Sequence, residues 1–441
     1  MDTRVDELEA TAAPGTVPRS SAGRYRWLVC SLLFFATTVN YIDRQILSLL
    51  KPILDDELHW SNAEFGQVNA AFQAAYAVGL LVFGKFIDRF GTKLGYGVSI
   101  AAWSLAAMFH AAVSSVAGFT AARLALGLGE GGNFPSAIKA VAVWFPRRER
   151  AFATALFNSG ANVGAIIAPA TIPWLAAAGG WHLPFLVAGV AGFVWLAFWQ
   201  MLYDAPERVA APRELAHIRA DVEAPEQGQV GWGKLLQLRA AWAFILAKFL
   251  TDPVWWFFLI WLPDYFKKTR ALDLKSSWLH LVSIYTIVTI LSIAGGWLTG
   301  HWVRRGQSVS RARKTGMLLF ACLVLPVLSV GRASDWGAVM LIGLAGAAHQ
   351  AWSANLFTSV SDMFPKRAVA SVVGLGGMAG SVGGIAFPIY AGKLLDRFEA
   401  SGNVAAGYGV LFGICSSAYL IAFALHHLLA PKFEQIDARW E

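Results

Sequence analysis

Charge is what this sequence has least of. Asp, Glu, Lys and Arg make up 15% of its 441 residues, where a soluble domain carries about 25%. Hydrophobic residues make up 56%, and the mean hydropathy is +0.50. A soluble fold is excluded, and a polytopic membrane protein is expected. Cysteine is also rare: Cys30, Cys322 and Cys415 sit singly in apolar runs, with neither disulfide nor metal-ligand spacing. They read as small buried residues. No Ser-His-Asp signature, metal-ligand cluster or nucleotide loop is present. We therefore expect no enzyme, no cofactor and no bound metal, and transport driven by an ion gradient rather than ATP. The run GLGGMAGSVGG (374–384) lacks the Lys-Ser/Thr ending of a phosphate loop and reads as close helix packing. No cleavable signal is evident: residues 1–23 are polar, contain Pro and acids, and read as a disordered tail. The net charge of +8 fits basic loops beside a lipid bilayer and calls for no nucleic-acid partner.

What the chain does have is long apolar runs. Twelve can be counted, at 27–50, 65–87, 94–115, 117–144, 150–176, 182–203, 240–264, 278–302, 314–331, 336–361, 368–394 and 404–430. About 20 helical residues cross the hydrocarbon core, so the fold class expected is an all-α membrane protein with twelve transmembrane helices. The polar, Pro-containing stretch 204–239 divides them into six-helix bundles at 27–203 and 240–430, with tails at 1–26 and 431–441. With the N-terminus inside, cytoplasmic segments hold 24 Lys and Arg and external ones 8, with four within spans. This bias puts both termini in the cytoplasm of a multi-pass plasma (bacterial inner) membrane protein. The external cluster Lys267, Lys268, Arg270 and Lys275 runs against it.

The two halves resemble one another. GKFIDRFGTK begins at Gly84 and GHWVRRG at Gly300; WFPRRERAFA carries Pro146 and MFPKRAVAS carries Pro365. The offsets, 216 and 219, agree closely enough to indicate a duplicated six-helix unit. Such repeats place the transport site between the halves.

Twelve spans, a central linker and GKFIDRFGTK resemble the major facilitator superfamily. Its loop motif is represented here by Gly84, Asp88, Arg89 and Gly91, with Thr92 where a second Arg is usual and Arg304 in place of the acid in the second copy. NYIDRQILSLLKP, GLGEGGNFPSAIKAVAVWFP and AKFLTDPVWWFFLIWLP resemble the anion:cation symporter family, its hexuronate transporter branch in particular. The resemblance covers residues 24–430. It implies an importer of an organic anion coupled to protons, functional as a monomer, with the loop motif acting in conformational gating. The alternatives kept open are a transporter of another carboxylate or small molecule, including an exporter, and a non-transporting membrane sensor.

Polar residues inside the spans are the candidates for the site, because a charge near the bilayer centre is costly and is normally functional. Tyr41 and Arg44 share a helix face, and the planar Arg fork suits a carboxylate. Asp43 is one step round the helix. Either Asp43 and Arg44 form a local pair that fixes packing, or they act separately. The resemblance implies the second, with Arg44 for the substrate anion and Asp43 in proton coupling. Arg123 and Glu130 are two turns apart on one face. Arg123 is either a structural salt-bridge partner or part of the mechanism, and Glu130 is expensive when ionised in a span. The resemblance implies that Glu130 carries the proton and that Arg123 modulates it.

Tyr76 is either a bundle-satisfied hydroxyl or, as the resemblance implies, a substrate contact. Asn158 and Asn162, one turn apart, suit a polyhydroxylated substrate or packing between small residues. Lys248 either contacts substrate or is neutralised by Asp252 four residues on. His349, Gln350, Trp352 and Asn355 crowd two turns, and suit hydrogen bonds and stacking on a sugar face. The anionic end of the site thus lies in the N-terminal half, which favours a hydrophilic anion over a hydrophobic drug.

Overall fold

The structure, a computed structural model, describes residues 24–219 and 231–434. The outer parts of both expected tails and residues 220–230 of the linker lie outside the described residues. Every regular element described is helical. Lipid offers no partners to backbone N–H and C=O groups, so each span must satisfy them internally.

Besides short linker helices such as Pro212–Arg219, the described residues form twelve long rods. They are α1 (Tyr25–Leu58), α2 (Asn62–Phe90), α3 (Thr92–His110), α4 in two pieces (Val116–Glu130 and Asn133–Trp144), α5 in two pieces (Arg147–Asn158 and Gly160–Gly179) and α6 (His182–Leu202). After the linker come α7 (Arg239–Arg270), α8 (Leu274–Arg304), α9 (Val309–Val324, continued by the 3₁₀ turns Leu325–Arg332), α10 (Asp335–Met363), α11 (Lys366–Ala400) and α12 (Val404–Leu429). Eight are long and apolar enough to cross a membrane on composition alone. The other four are α1, α3, α4 and α10. Of these, α1 carries Asp43, Arg44 and Lys51, α4 is divided at Gly131–Gly132, and α10 carries His349 and Gln350. Large apolar side chains such as Leu81, Phe152 and Ile293 are exposed on the outer surface, which suits lipid. The chain is thus an integral, multi-pass membrane protein.

Short polar loops start the helices with side-chain caps. Ser61 and Glu64 form a reciprocal capping box at α2, while Ser115, Asp273, Ser308, Ser334 and Asn403 cap later helices. Each cap supplies about 1 kcal/mol. The repeat is visible in the backbone: Pro146 and Pro365 both precede a helix, with φ/ψ of −61/151° and −61/148°. Gly91 and Gly306, within the paired loop sequences, both adopt positive φ, 87° and 91°.

One apolar core, built around Tyr96, Trp103, Trp144, Trp195 and Trp199, belongs to the N-terminal half. The other belongs mostly to the C-terminal half but takes in Leu47, Leu50 and Leu54 from the last turns of α1, Trp60 from the connection that follows and Phe65 from the first turn of α2. At this end the halves meet. The Phe65 and Trp261 rings lie 5.2 Å apart, edge to face. Gly66 abuts the backbone of Pro388, and Gly392 that of Asn62, so that no side chain fits at either glycine.

Polar bonds join the halves at the same end. Lys51 Nζ lies 2.8 Å from Asp264 Oδ1, with both side chains buried. The ammonium also reaches Asp55 (2.6 Å) and Asn62 (3.0 Å), and Tyr408 donates its hydroxyl to Asp264. Across the halves Lys267 pairs with Asp56 at 3.1 Å and Asp396 accepts from the backbone and side chain of Asn62; within the C-terminal half Lys268 pairs with Glu399 at 2.8 Å. Arg270 binds Asp335 and the carbonyls of Val330 and Ala333. Most of the basic cluster that runs against the charge bias is therefore neutralised by specific partners.

Candidate functional site

Midway along the rods the helices enclose polar space. Arg44 of α1 sets its Nε 2.6 Å from Glu130 Oε2 of α4, and Glu130 is fully buried. The guanidinium carbon lies over the rings of Tyr76 (4.4 Å), Tyr41 (5.2 Å), Phe72 (5.3 Å) and Trp256 (5.7 Å). The first three rings are from the N-terminal half and the fourth from α7. An aromatic cage of this kind holds a cation in place without consuming its N–H donors. Glu130 engages Nε, and the outer fork of the guanidinium remains suited to a carboxylate. Arg123 does not pair with Glu130. Its Nη2 donates to the backbone carbonyl of Arg44 (3.3 Å), and its guanidinium lies over Phe72 (5.5 Å). Asp43 is buried, and its carboxyl oxygens meet no hydrogen-bond partner among the described residues. Asp43 and Arg44, adjacent in sequence, thus turn to different surroundings. The pair that forms joins Arg44 to an acid 86 residues away.

Gly-to-backbone contacts make this approach feasible. Gly79 of α2 packs on the backbone of Leu128 and Gly131 on that of Gly79, which brings α2 and α4 close. Gly131 and Gly132 interrupt α4 immediately after Glu130.

Toward the C-terminal half a cavity of about 230 Å3 opens. Tyr41, Asn158, Asn162, Lys248, His349 and Gln350 line it, together with Asp252, Trp255, Trp256 and Ser353. Tyr41 and Trp256 also line the narrow space around Arg44, with Gln45, Ser48, Asn69 and Gln73, so the two regions adjoin. Lys248 Nζ lies 2.7 Å from Asp252 Oδ2. His349 stacks on Trp255, with centroids 5.4 Å apart, and its Nδ1 lies 2.6 Å from the Tyr419 hydroxyl. Two other residues of this cluster lie elsewhere. Trp352 is fully buried against Tyr419. Asn355 accepts from Arg313 (3.2 Å) and donates to the carbonyl of Ala351. In the loop motif, Gly84 has open space around it, Arg89 lies over the Phe90 ring (5.4 Å), and Gly91 has φ 87°; the Asp88 side chain lies outside the described residues. Two larger grooves, beside Trp297 and beside Trp174, are apolar and open on the outer surface.

The sequence profile of the Major Facilitator Superfamily matches residues 33–388. The chain belongs to the Major Facilitator Superfamily. Among curated members, the hexuronate transporter of Escherichia coli K12 is 31% identical over 384 residues, covering 85% of this chain and 89% of that one. The D-galactonate transporter of Escherichia coli O6:H1 is 27% identical, covering 87% and 92%. A probable galactarate/D-glucarate transporter of Bacillus subtilis is 28% identical, covering 86% and 88%. The fold is shared with the crystal structure of a bacterial homolog of the human lysosomal transporter Spinster, with a TM-score of 0.75, 16% identity and coverage of 93% and 98%. This superfamily member is a transporter related to sugar-acid transporters, and it is not an enzyme.

Four polar or aromatic cavity residues escape the sequence reading as ligand contacts: Asp252, Trp255, Trp256 and Ser353. The first three follow Lys248 in KFLTDPVWW, around Pro253, where a Pro inside a span was the available signal.

Proposed function

We propose that the protein is a symporter that imports a sugar acid, a hexuronate or close relative, together with protons, by alternating access of the bundles 27–203 and 240–430. Both termini face the cytoplasm, and the carrier works as a monomer. Arg44 holds the substrate carboxylate. Tyr41, Tyr76, Asn158, Asn162, Lys248, His349 and Gln350 receive the hydroxyls and the ring face, and Glu130 and Asp43 take up protons. Trp352 and Asn355 stand behind this lining and support it.

The observation that carries this reading is the charge count of the central space. Arg44, Arg123 and Lys248 face Asp43, Glu130 and Asp252, so the ionised site is formally neutral. A substrate anion adds an uncompensated charge in a low-dielectric region, which is costly. A proton on Glu130 or Asp43 restores neutrality. Protonation of Glu130 also ends its ionic hold on Arg44 and gives the guanidinium to the substrate. Under this orientation the ion pairs at the Lys51 end close the outside.

The test is uptake of labelled D-galacturonate into proteoliposomes with and without an inward proton gradient. Accumulation is expected only with the gradient. Equal accumulation under both conditions refutes proton coupling, and absence of any galacturonate counterflow refutes the substrate class.

A further inference from the structure

We propose that Asp252 is a specificity-determining residue: by engaging Lys248 it leaves the central cavity with a single carboxylate anchor, so that a sugar monoacid is accepted and the corresponding diacid is refused. This rests on the reading of the cavity as a sugar-acid site.

Two adjoining spaces between the halves each present a cation, Arg44 of α1 in one and Lys248 of α7 in the other. Two cations in adjoining spaces would suit a molecule with a carboxylate at each end. The two are not equivalent, however. Glu130 meets Arg44 at Nε only, and a guanidinium has five donors in a fixed fork. Lys248 is a compact ammonium, and Asp252 lies 2.7 Å from it on the next turn of the same helix. A pair within one rigid helix is not separated when two bundles rock, so the neutralisation persists through the transport cycle.

Two further contacts fix the pair. The Phe357 ring lies 4.5 Å from Lys248 Nζ. Gly380 of α11 abuts Asp252 Oδ2 so closely that a Cβ there would clash with it. The carboxylate is thus wedged at the cavity wall. A terminal hydroxymethyl or hydroxyl at this wall finds donors on Lys248 and acceptors on Asp252. A terminal carboxylate meets the Asp252 charge with no unpaired Lys or Arg among the described residues of this cavity to offset it. Selectivity that uses such repulsion needs no loss of affinity for the accepted ligand.

The experiment is counterflow of labelled D-galacturonate in proteoliposomes, with unlabelled D-galacturonate or galactarate as competitor. In the natural protein galactarate should compete roughly 100-fold more weakly, since like-charge contacts discriminate strongly. In Asp252→Asn the ratio of the two affinities should fall by roughly tenfold or more as Lys248 becomes available. The double variant Lys248→Gln/Asp252→Asn, which removes both charges, should restore discrimination. Galactarate competing equally in the natural protein overturns the proposal without recourse to any variant. An unchanged ratio in Asp252→Asn overturns it as well. Failure of the natural protein to exchange galacturonate at all overturns the underlying site reading, and the proposal with it.

Discussion

Replacing Asp264 by Asn tests whether the Lys51 end closes the carrier. Asp264 is the partner of Lys51 that lies in the opposite half, at 2.8 Å. Removing one member of a buried ion pair costs about 3–5 kcal/mol. Lys51 retains Asp55 at 2.6 Å and Asn62 at 3.0 Å within its own half, so the lower figure, about 3 kcal/mol, applies. In the form open at this end the pair is already apart, and the loss falls on the closed form alone. The equilibrium should move toward opening by roughly 100-fold, at 1.4 kcal/mol per decade. The readout is a cysteine at Gln73, a buried residue lining the space around Arg44, in a background in which the exposed Cys322 is changed to Ser. An impermeant maleimide added outside intact cells should label Gln73→Cys up to roughly 100-fold faster when Asp264→Asn is present. Lys268→Gln should give a few-fold effect, because its ion pair with Glu399 lies within the C-terminal half and its bond across the halves is a single 3.1 Å contact to the Asn62 amide oxygen. Unchanged labelling in Asp264→Asn refutes the closing role. Slower labelling means that this end faces the cytoplasm and refutes the orientation.

Arg44→Ala should reach the membrane and lose galacturonate binding by about 2–5 kcal/mol, as when a charged partner is removed; Arg44→Lys should recover only part of it, because an ammonium lacks the fork. Unchanged affinity by calorimetry removes Arg44 from the site. Glu130→Gln should exchange substrate by counterflow yet fail to concentrate it under a pH gradient; if it still concentrates substrate, Asp43 becomes the leading proton carrier. At the end of the bundle away from Lys51, burial alone would raise the Glu149 carboxyl, but hydrogen bonding to His217 and the nearby Arg26 charge outweigh it and hold it below its ordinary 4.5. A depressed carboxyl stabilises the fold above that ordinary value and loses the contribution as pH falls through the folded one. Hydrogen-exchange protection of Pro212–Arg219, corrected for intrinsic rates, should therefore persist above pH 4.5 and decline below it. Glu149→Gln should show the lower protection throughout, and equal protection at every pH in both proteins would contradict the assignment.

The twelve rods were legible because lipid imposes one rule, and apolar length obeys it. Even the divided helices leave signs in the sequence, such as the glycines after Glu130. Arg44, Glu130 and Asp43 were legible as costly residues, since polarity in a span is visible without any structure. Pairing was not. Asp43 is the nearest acid to Arg44 along the chain, whereas Glu130 reaches it through the packing of α1 and α4. The cluster at Lys267, Lys268 and Arg270 made sense only with Asp56, Glu399 and Asp335, which arrive from other helices. Asn355 looked like a neighbour of His349, but the helix turn takes it to Arg313. Helical periodicity says which residues share a face, and not which face meets the cavity.

The unequal division of the two apolar cores bears on biosynthesis. The Trp-rich core of the N-terminal half is complete before α7 emerges from the ribosome. The other core borrows Leu47, Leu50, Leu54, Trp60 and Phe65 from the first two helices and the connection between them, so it can be completed only on a surface already laid down in the membrane. The first half is in this sense a template for the second. Co-expressed as two separate polypeptides, the N-terminal bundle should accumulate alone, while the C-terminal bundle should persist only when its companion is present.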